Sequence, residues 1–119
     1  MAQATFLQEG KAIDYTPGSD VVAGQVVVLG SMIGIAVRPI ASGALGALAI
    51  AGVFDVAKVN GAISVGVAVY WDADGDPQGG TAGTGAATTT STDNTFLGHA
   101  VAAVGATDET VRVVLGRTP

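Results

Sequence analysis

Ser64-Val65-Gly66-Val67-Ala68-Val69-Tyr70-Trp71-Asp72-Ala73-Asp74-Gly75-Asp76 carries the only tryptophan of the chain and then its densest run of carboxylates. Side chains on an extended chain alternate faces, so Val65, Val67, Val69 and Trp71 share one side. β-Branched and aromatic residues are also those that a pleated, half-buried surface favours. The spacing predicts a central core strand. Asp, Gly and Pro then replace the apolar residues, withdrawing strand propensity and supplying turn geometry, so a long polar loop is expected from Asp72.

Outward from this strand the chain reads as short extended pieces separated by turns. Residues 72–94 are almost wholly Asp, Gly, Thr, Ala and Ser, which bury too little apolar area to offset chain entropy, so the tip of this segment is expected to be mobile. Thr88-Thr89-Thr90 has β propensity and is placed to pair back onto Tyr70-Trp71, making residues 72–95 a long loop or hairpin. Phe96 to Val104 and Thr110 to Leu115 follow as strands around a turn at residues 105–109.

On the amino-terminal side, Asn60-Gly61 is a turn signal. Residues 44–56 read as one long strand, or two joined by a bend at Gly52, with Leu48 and Ile50 on one face. Gln25 to Leu29 reads as a buried strand, Gly30-Ser31 as a tight turn and Met32 to Val37 as the returning strand. Thr16-Pro17-Gly18-Ser19-Asp20 is a turn. Before it lie extended segments at Lys11 to Tyr15, with Ile13 and Tyr15 on one face, and at Thr5 to Gln8. No stretch has a helical period with caps. Gly24-x-Val26-Val27 with Gly34-Ile35-Ala36-Val37 echoes Gly66-x-Ala68-Val69 with Gly98-His99-Ala100-Val101, a hint of two related β units. The expected fold class is all-β, a small barrel or jelly-roll-like sandwich. It forms a single domain over residues 1–119, with an extended arm over residues 1–10 and a Gly/Thr-rich hairpin loop over 72–95.

Composition excludes several functions. With 119 residues there is room for one core and no second domain. Charged residues are only 13% and the net charge is −5, whereas a nucleic-acid footprint needs clustered Lys and Arg to replace counterions. The absence of cysteine removes disulfides and thiolate chemistry together. Met1 is followed by Ala-Gln-Ala-Thr, without the basic start and apolar stretch of a secretory signal. Residues 21–37 and 39–54 lack charge, but each is short and diluted by Gly, Ala and Ser, so strands and turns are expected there and not membrane spans.

Three constellations invite chemistry. Asp72, Asp74 and Asp76 alternate as calcium ligands do at the start of an EF-hand loop. The sixth position is Pro77 and the twelfth Gly83, however, and no helix flanks them, so a solvated turn is the expectation. His99 is the sole histidine, in an apolar strand without a nucleophile elbow, and reads as a half-exposed or hydrogen-bonded strand residue. The glycines at 79–85 lack the lysine of a phosphate loop. Tyr70 and Trp71 point to opposite faces, so at most one can stack a sugar ring, and Trp71 belongs to the core.

Taken in order, Gln8-Glu9-Gly10, Gly34-Ile35-Ala36, Gly52-Val53-Phe54-Asp55-Val56 with Lys58, Val69-Tyr70-Trp71-Asp72, Gly98-His99-Ala100 and Val111-Arg112-Val113 resemble the bacteriophage capsid cement, or decoration, protein family. The resemblance spans almost the whole chain. Only the segment at 72–94 departs from it, being longer and richer in Gly and Thr than the family's hairpin. It implies a non-enzymatic, β-rich virion protein that oligomerises, as a trimer in preference to a dimer, on the exterior of a capsid and reinforces it. The major capsid protein is then the partner, with no cofactor, metal, nucleic acid or membrane involved, and synthesis takes place in the bacterial cytoplasm. The segment expected to touch capsid or sister subunits is Ala2, Gln3, Ala4, Thr5, Phe6, Leu7 and Gln8, which cannot build a core of its own. Two rival classes remain: a calcium-dependent carbohydrate-binding or adhesin-like module using Asp72, Asp74 and Asp76, and a small hydrolase centred on His99.

Overall fold

The computed structural model describes residues 3–5 and 10–116. Within them the turn residues cut the chain into nine strands: β1 (Ala12–Tyr15), β2 (Val26–Leu29), β3 (Met32–Ala36), β4 (Gly46–Ala49), β5 (Val53–Ala57), β6 (Ala68–Asp72), β7 (Ala86–Thr88), β8 (Thr95–Ala100) and β9 (Thr110–Leu115). There is no helix among the described residues, and none long and apolar enough to cross a membrane. The all-β expectation therefore holds. The strands form two antiparallel sheets, ordered β1-β4-β3-β2 and β5-β9-β8-β6-β7. The segment at 44–56 is two strands, and the bend at Gly52 carries the chain from one sheet into the other.

The expected barrel is not closed. The five-stranded sheet curls until its edges touch at a single parallel bridge, Lys58 to Ala87. Each sheet is contiguous in sequence, so strands do not interleave between sheets as they do in a jelly roll.

The hint of internal symmetry is a structural repeat. Val21 and Ile40 form an isolated antiparallel bridge, as do Ile63 and Val104. The Gly24 N–H donates to the Ala36 carbonyl at 2.6 Å, and the Gly66 N–H donates to the Ala100 carbonyl at 2.7 Å. Both glycines sit at φ 84°, a left-handed backbone that a Cβ would strain. Val27 pairs with Gly34 as Val69 pairs with Gly98, and Ala12 with Ala49 as Phe54 with Val113. Strands β1, β2, β3 and β4 thus correspond to β5, β6, β8 and β9. The hairpin loop and β7 are an insertion in the second copy.

Each copy has its own apolar cluster. In the first, Val21, Ala36, Ile40 and Leu48 are buried, with Ile13, Tyr15, Val27 and Leu29 packed on them. In the second, Val56, Ile63, Val69, Ala87, Leu97, Ala100, Val111 and Val113 are buried and receive Ile33 and Ile35 from the back of the first sheet, which joins the two layers.

Two details depart from the sequence reading. Strand β6 begins only at Ala68, because Gly66 turns the chain before it, and Val65 is 62% exposed instead of lining the core. Strand β2 is an edge strand, half-buried and not enclosed. The pairing of Thr88 with Tyr70 is as expected, although β7 lies earlier than the threonine run, over Ala86–Thr88.

Candidate docking surface

Gln3, Ala4 and Thr5 are exposed and belong to no strand. Ala2, Phe6, Leu7 and Gln8 lie outside the described residues. The chain joins the sheet at β1, on the opposite edge from β2.

The aspartates after β6 are occupied by their own loop. An Asp72 carboxylate oxygen accepts the Asp74 N–H at 3.1 Å, and one of Asp76 accepts the Gly83 N–H at 2.7 Å. The Gly85 N–H donates to the Gly75 carbonyl, and Thr84 Oγ1 to the Thr81 carbonyl. Asp and Thr side chains here supply the acceptors and donors that turn backbone otherwise lacks. Among the described residues no group of three or more His, Asp or Glu side chains converges as a cation would require.

His99 lies on the outer face of the second sheet, half-buried, its ring edge-on to Phe96 at 5.4 Å; Phe96 is in turn edge-on to Tyr70 at 5.6 Å. These are aromatic packing contacts. Trp71 packs on the core cluster from the opposite face, where a Cβ at Gly85 would strike its ring.

Sequence reasoning missed the most buried polar side chain. Lys58 is fully buried, and its Nζ donates to the carbonyls of Gly105, Ala106 and Asp108, each at 3.2 Å. An ammonium has three donors, and all three are used. Its own backbone accepts from Gln78 N–H at 2.7 Å and donates to the Glu109 carbonyl. One residue therefore fastens the end of β5, the turn at 105–109 and the hairpin loop together. The available signal was a single lysine between Ala57 and Val59, just past the end of β5.

On the outer face Arg112 grips Asp55 with two hydrogen bonds, 3.0 and 3.3 Å. The guanidinium hydrogen bond, set against slight desolvation and reinforced by the arginine's charge, holds the Asp55 carboxyl below its usual value. The reciprocal bond raises Arg112. Both side chains are more than half exposed, so this pair is a surface feature.

Between the sheets, where β2 and β5 splay apart, an open groove of about 870 Å³ is lined by Val22, Val26, Val28, Val37, Phe54 and Trp71 among others. Apart from Asp55, its lining carries no charge.

What these residues define is a small protein of the all-β class. Its ordered polar side chains hold its own loops, and its accessible features among the described residues are an open strand edge and an apolar groove. The chain belongs to the phage cement protein family, whose model matches residues 7–115. Its role is accordingly a structural one on a phage capsid. No curated protein and no solved structure matches the chain.

Proposed function

We propose that this protein binds the outer surface of an assembled phage head as a homo-oligomer, docks on the major capsid protein and stabilises the shell, transforming no molecule. The observation that carries this reading is the match to the cement family over residues 7–115. A cement protein acts by mass action: it binds the assembled shell and not loose subunits, so its binding free energy adds to the stability of the assembled state. One protomer that touches two capsid subunits couples them, and repetition over the lattice multiplies weak contacts into avidity.

Residues 2–8 are the docking segment in this reading, adding to a capsid sheet edge as an extended strand. Uncharged side chains and the absence of strand pairing at Gln3, Ala4 and Thr5 support it. The polar loop at 72–95 faces solvent or a symmetry mate. The test is to delete residues 2–8 and count copies bound per purified capsid by quantitative gel densitometry, alongside the temperature at which the heads rupture. Occupancy and rupture temperature should both fall. Occupancy equal to that of the intact chain would remove the arm from the docking surface.

A further inference from the structure

The internal repeat exposes a missing strand. In the second sheet the outer edge of β6 is covered by β7, with Tyr70 opposite Thr88 and Trp71 opposite Ala87. Among the described residues, the corresponding strand of the first sheet, β2, ends that sheet with no neighbour beyond it. The loops flanking the two edges correspond, Gly24 to Gly66, and the one beside β6 leaves room for β7.

Edge strands are normally guarded by charge, proline, a bulge or a cover. Among the four sheet edges, β1 carries Asp14 and β5 carries Asp55, while β7 is met by the Val59 N–H donating to the Ala87 carbonyl. Strand β2 is Val26-Val27-Val28-Leu29 with none of these guards. Beside it the groove adds Val22, Val28 and Val37, exposed at 64%, 41% and 62%.

We infer that β2 pairs antiparallel with β2 of a second copy of this chain, around a twofold axis at Val27. The two-residue turn at Gly30-Ser31 sets Leu29 opposite Met32 and Val27 opposite Gly34 as the hydrogen-bonded pairs within the sheet. Val26 and Val28 therefore direct their N–H and C=O groups to the open side. Placed antiparallel, Val26 of each copy meets Val28 of the other and Val27 meets Val27, so each copy supplies what its twin lacks. An isologous contact requires such a self-complementary patch. Charge points to the same occupant. Two chains of net −5 repel, and this uncharged edge beside an almost uncharged groove is where they approach at least cost. The first sheets then run on as one, and the exposed valines of both copies are covered together. The copies meet in pairs, not in the threes that the family resemblance favours.

The experiment needs no capsid and uses the full chain. Light-scattering mass of the intact protein should give two protomers. Val28→Pro removes a donor that the protomer itself does not use, and should give one protomer with an unchanged circular-dichroism spectrum and melting temperature. Because the chain has no cysteine, Val27→Cys reports the register. Facing non-hydrogen-bonded residues lie about 4.5 Å apart at Cα, within disulfide range, so mild oxidation should cross-link most of this variant. Val53→Cys, exposed on the other edge, should stay monomeric on a denaturing gel. A mass of one or three protomers for the intact chain, or two for Val28→Pro, or no cross-link at residue 27, overturns the proposal. An intact chain that is monomeric in solution but loses capsid binding on Val28→Pro overturns it too, assigning the edge to a capsid strand instead. Deleting residues 2–8 bears only on capsid docking and leaves the predicted mass at two protomers.

Discussion

The first and second sheets follow one four-strand plan, yet one pairs Ile13 with Leu48 where the other pairs Asp55 with Arg112. Leu48 is fully buried, while Arg112 lies in the open. The cause is a slip of a single residue. In the first sheet Ala36 faces Leu48; its counterpart Ala100 faces Val113, one beyond Arg112. Side chains alternate with a period of two, so that slip turns the whole of β9 over and sends Val111 and Val113 inward in the place of Leu48. The same backbone plan thus yields a small cluster roofed by its own loops in one copy and the main core in the other.

Predictions follow from that contrast, the largest effect first. Lys58 corresponds to Thr16, which is exposed and makes no comparable knot. Lys58→Met keeps the stem but leaves three carbonyls without their donor. It should cost about 4 kcal/mol in urea denaturation, since the three carbonyls are part-buried and each such group left unsatisfied costs upwards of about 1 kcal/mol. Thr16→Met should leave the midpoint unchanged.

The paired glycines come next. A Cβ at Gly98 would land on the Val114 carbonyl oxygen, which is backbone and cannot swing aside, whereas one at Gly34 would meet the Leu48 side chain at 2.8 Å. Gly98→Ala should therefore lose about 3 kcal/mol, at the upper end for overpacking, and Gly34→Ala about half as much. Equal losses would mean that the strands separate as easily in both copies.

Leu48→Ala should lose about 2 to 3 kcal/mol, low in the range for core leucines because its cluster is small and loop-roofed and can collapse. Its counterpart change, Arg112→Ala, should be nearly silent at neutral pH. What effect it has should depend on pH. Asp55 is held below its ordinary value of 3.8 by Arg112, so the pair stabilises the fold above that value. The contribution disappears as the pH falls through the lower folded-state value. Wild-type and Arg112→Ala denaturation midpoints should accordingly converge in strong acid. A gap that widens there would reverse the sign of the coupling.

Much of this was legible along the chain. Val69 and Trp71 face the core, Gly52 separates two strands, the threonine run returns to Tyr70, and the paired Gly-x-Ala-Val segments are a true repeat. Val65 misled because alternation continues across Gly66 in the sequence, while a left-handed glycine ends it in space. Strand β2 read as buried because three valines suggest burial on both faces, and nothing local says which strand stands at an edge. Lys58 was invisible as a knot because its three acceptors lie some fifty residues away.

Amino-acid order alone settled the class of fold, the places where the chain turns, the absence of thiol chemistry and the kinship to cement proteins, since these depend on propensity, alternation and composition within short windows. Only the tertiary structure decided which strand edge is left open, which aspartates are consumed by their own loop, and which face of β9 is inside. Those depend on register between distant strands, where a shift of one residue exchanges core for surface at almost no cost in local sequence preference.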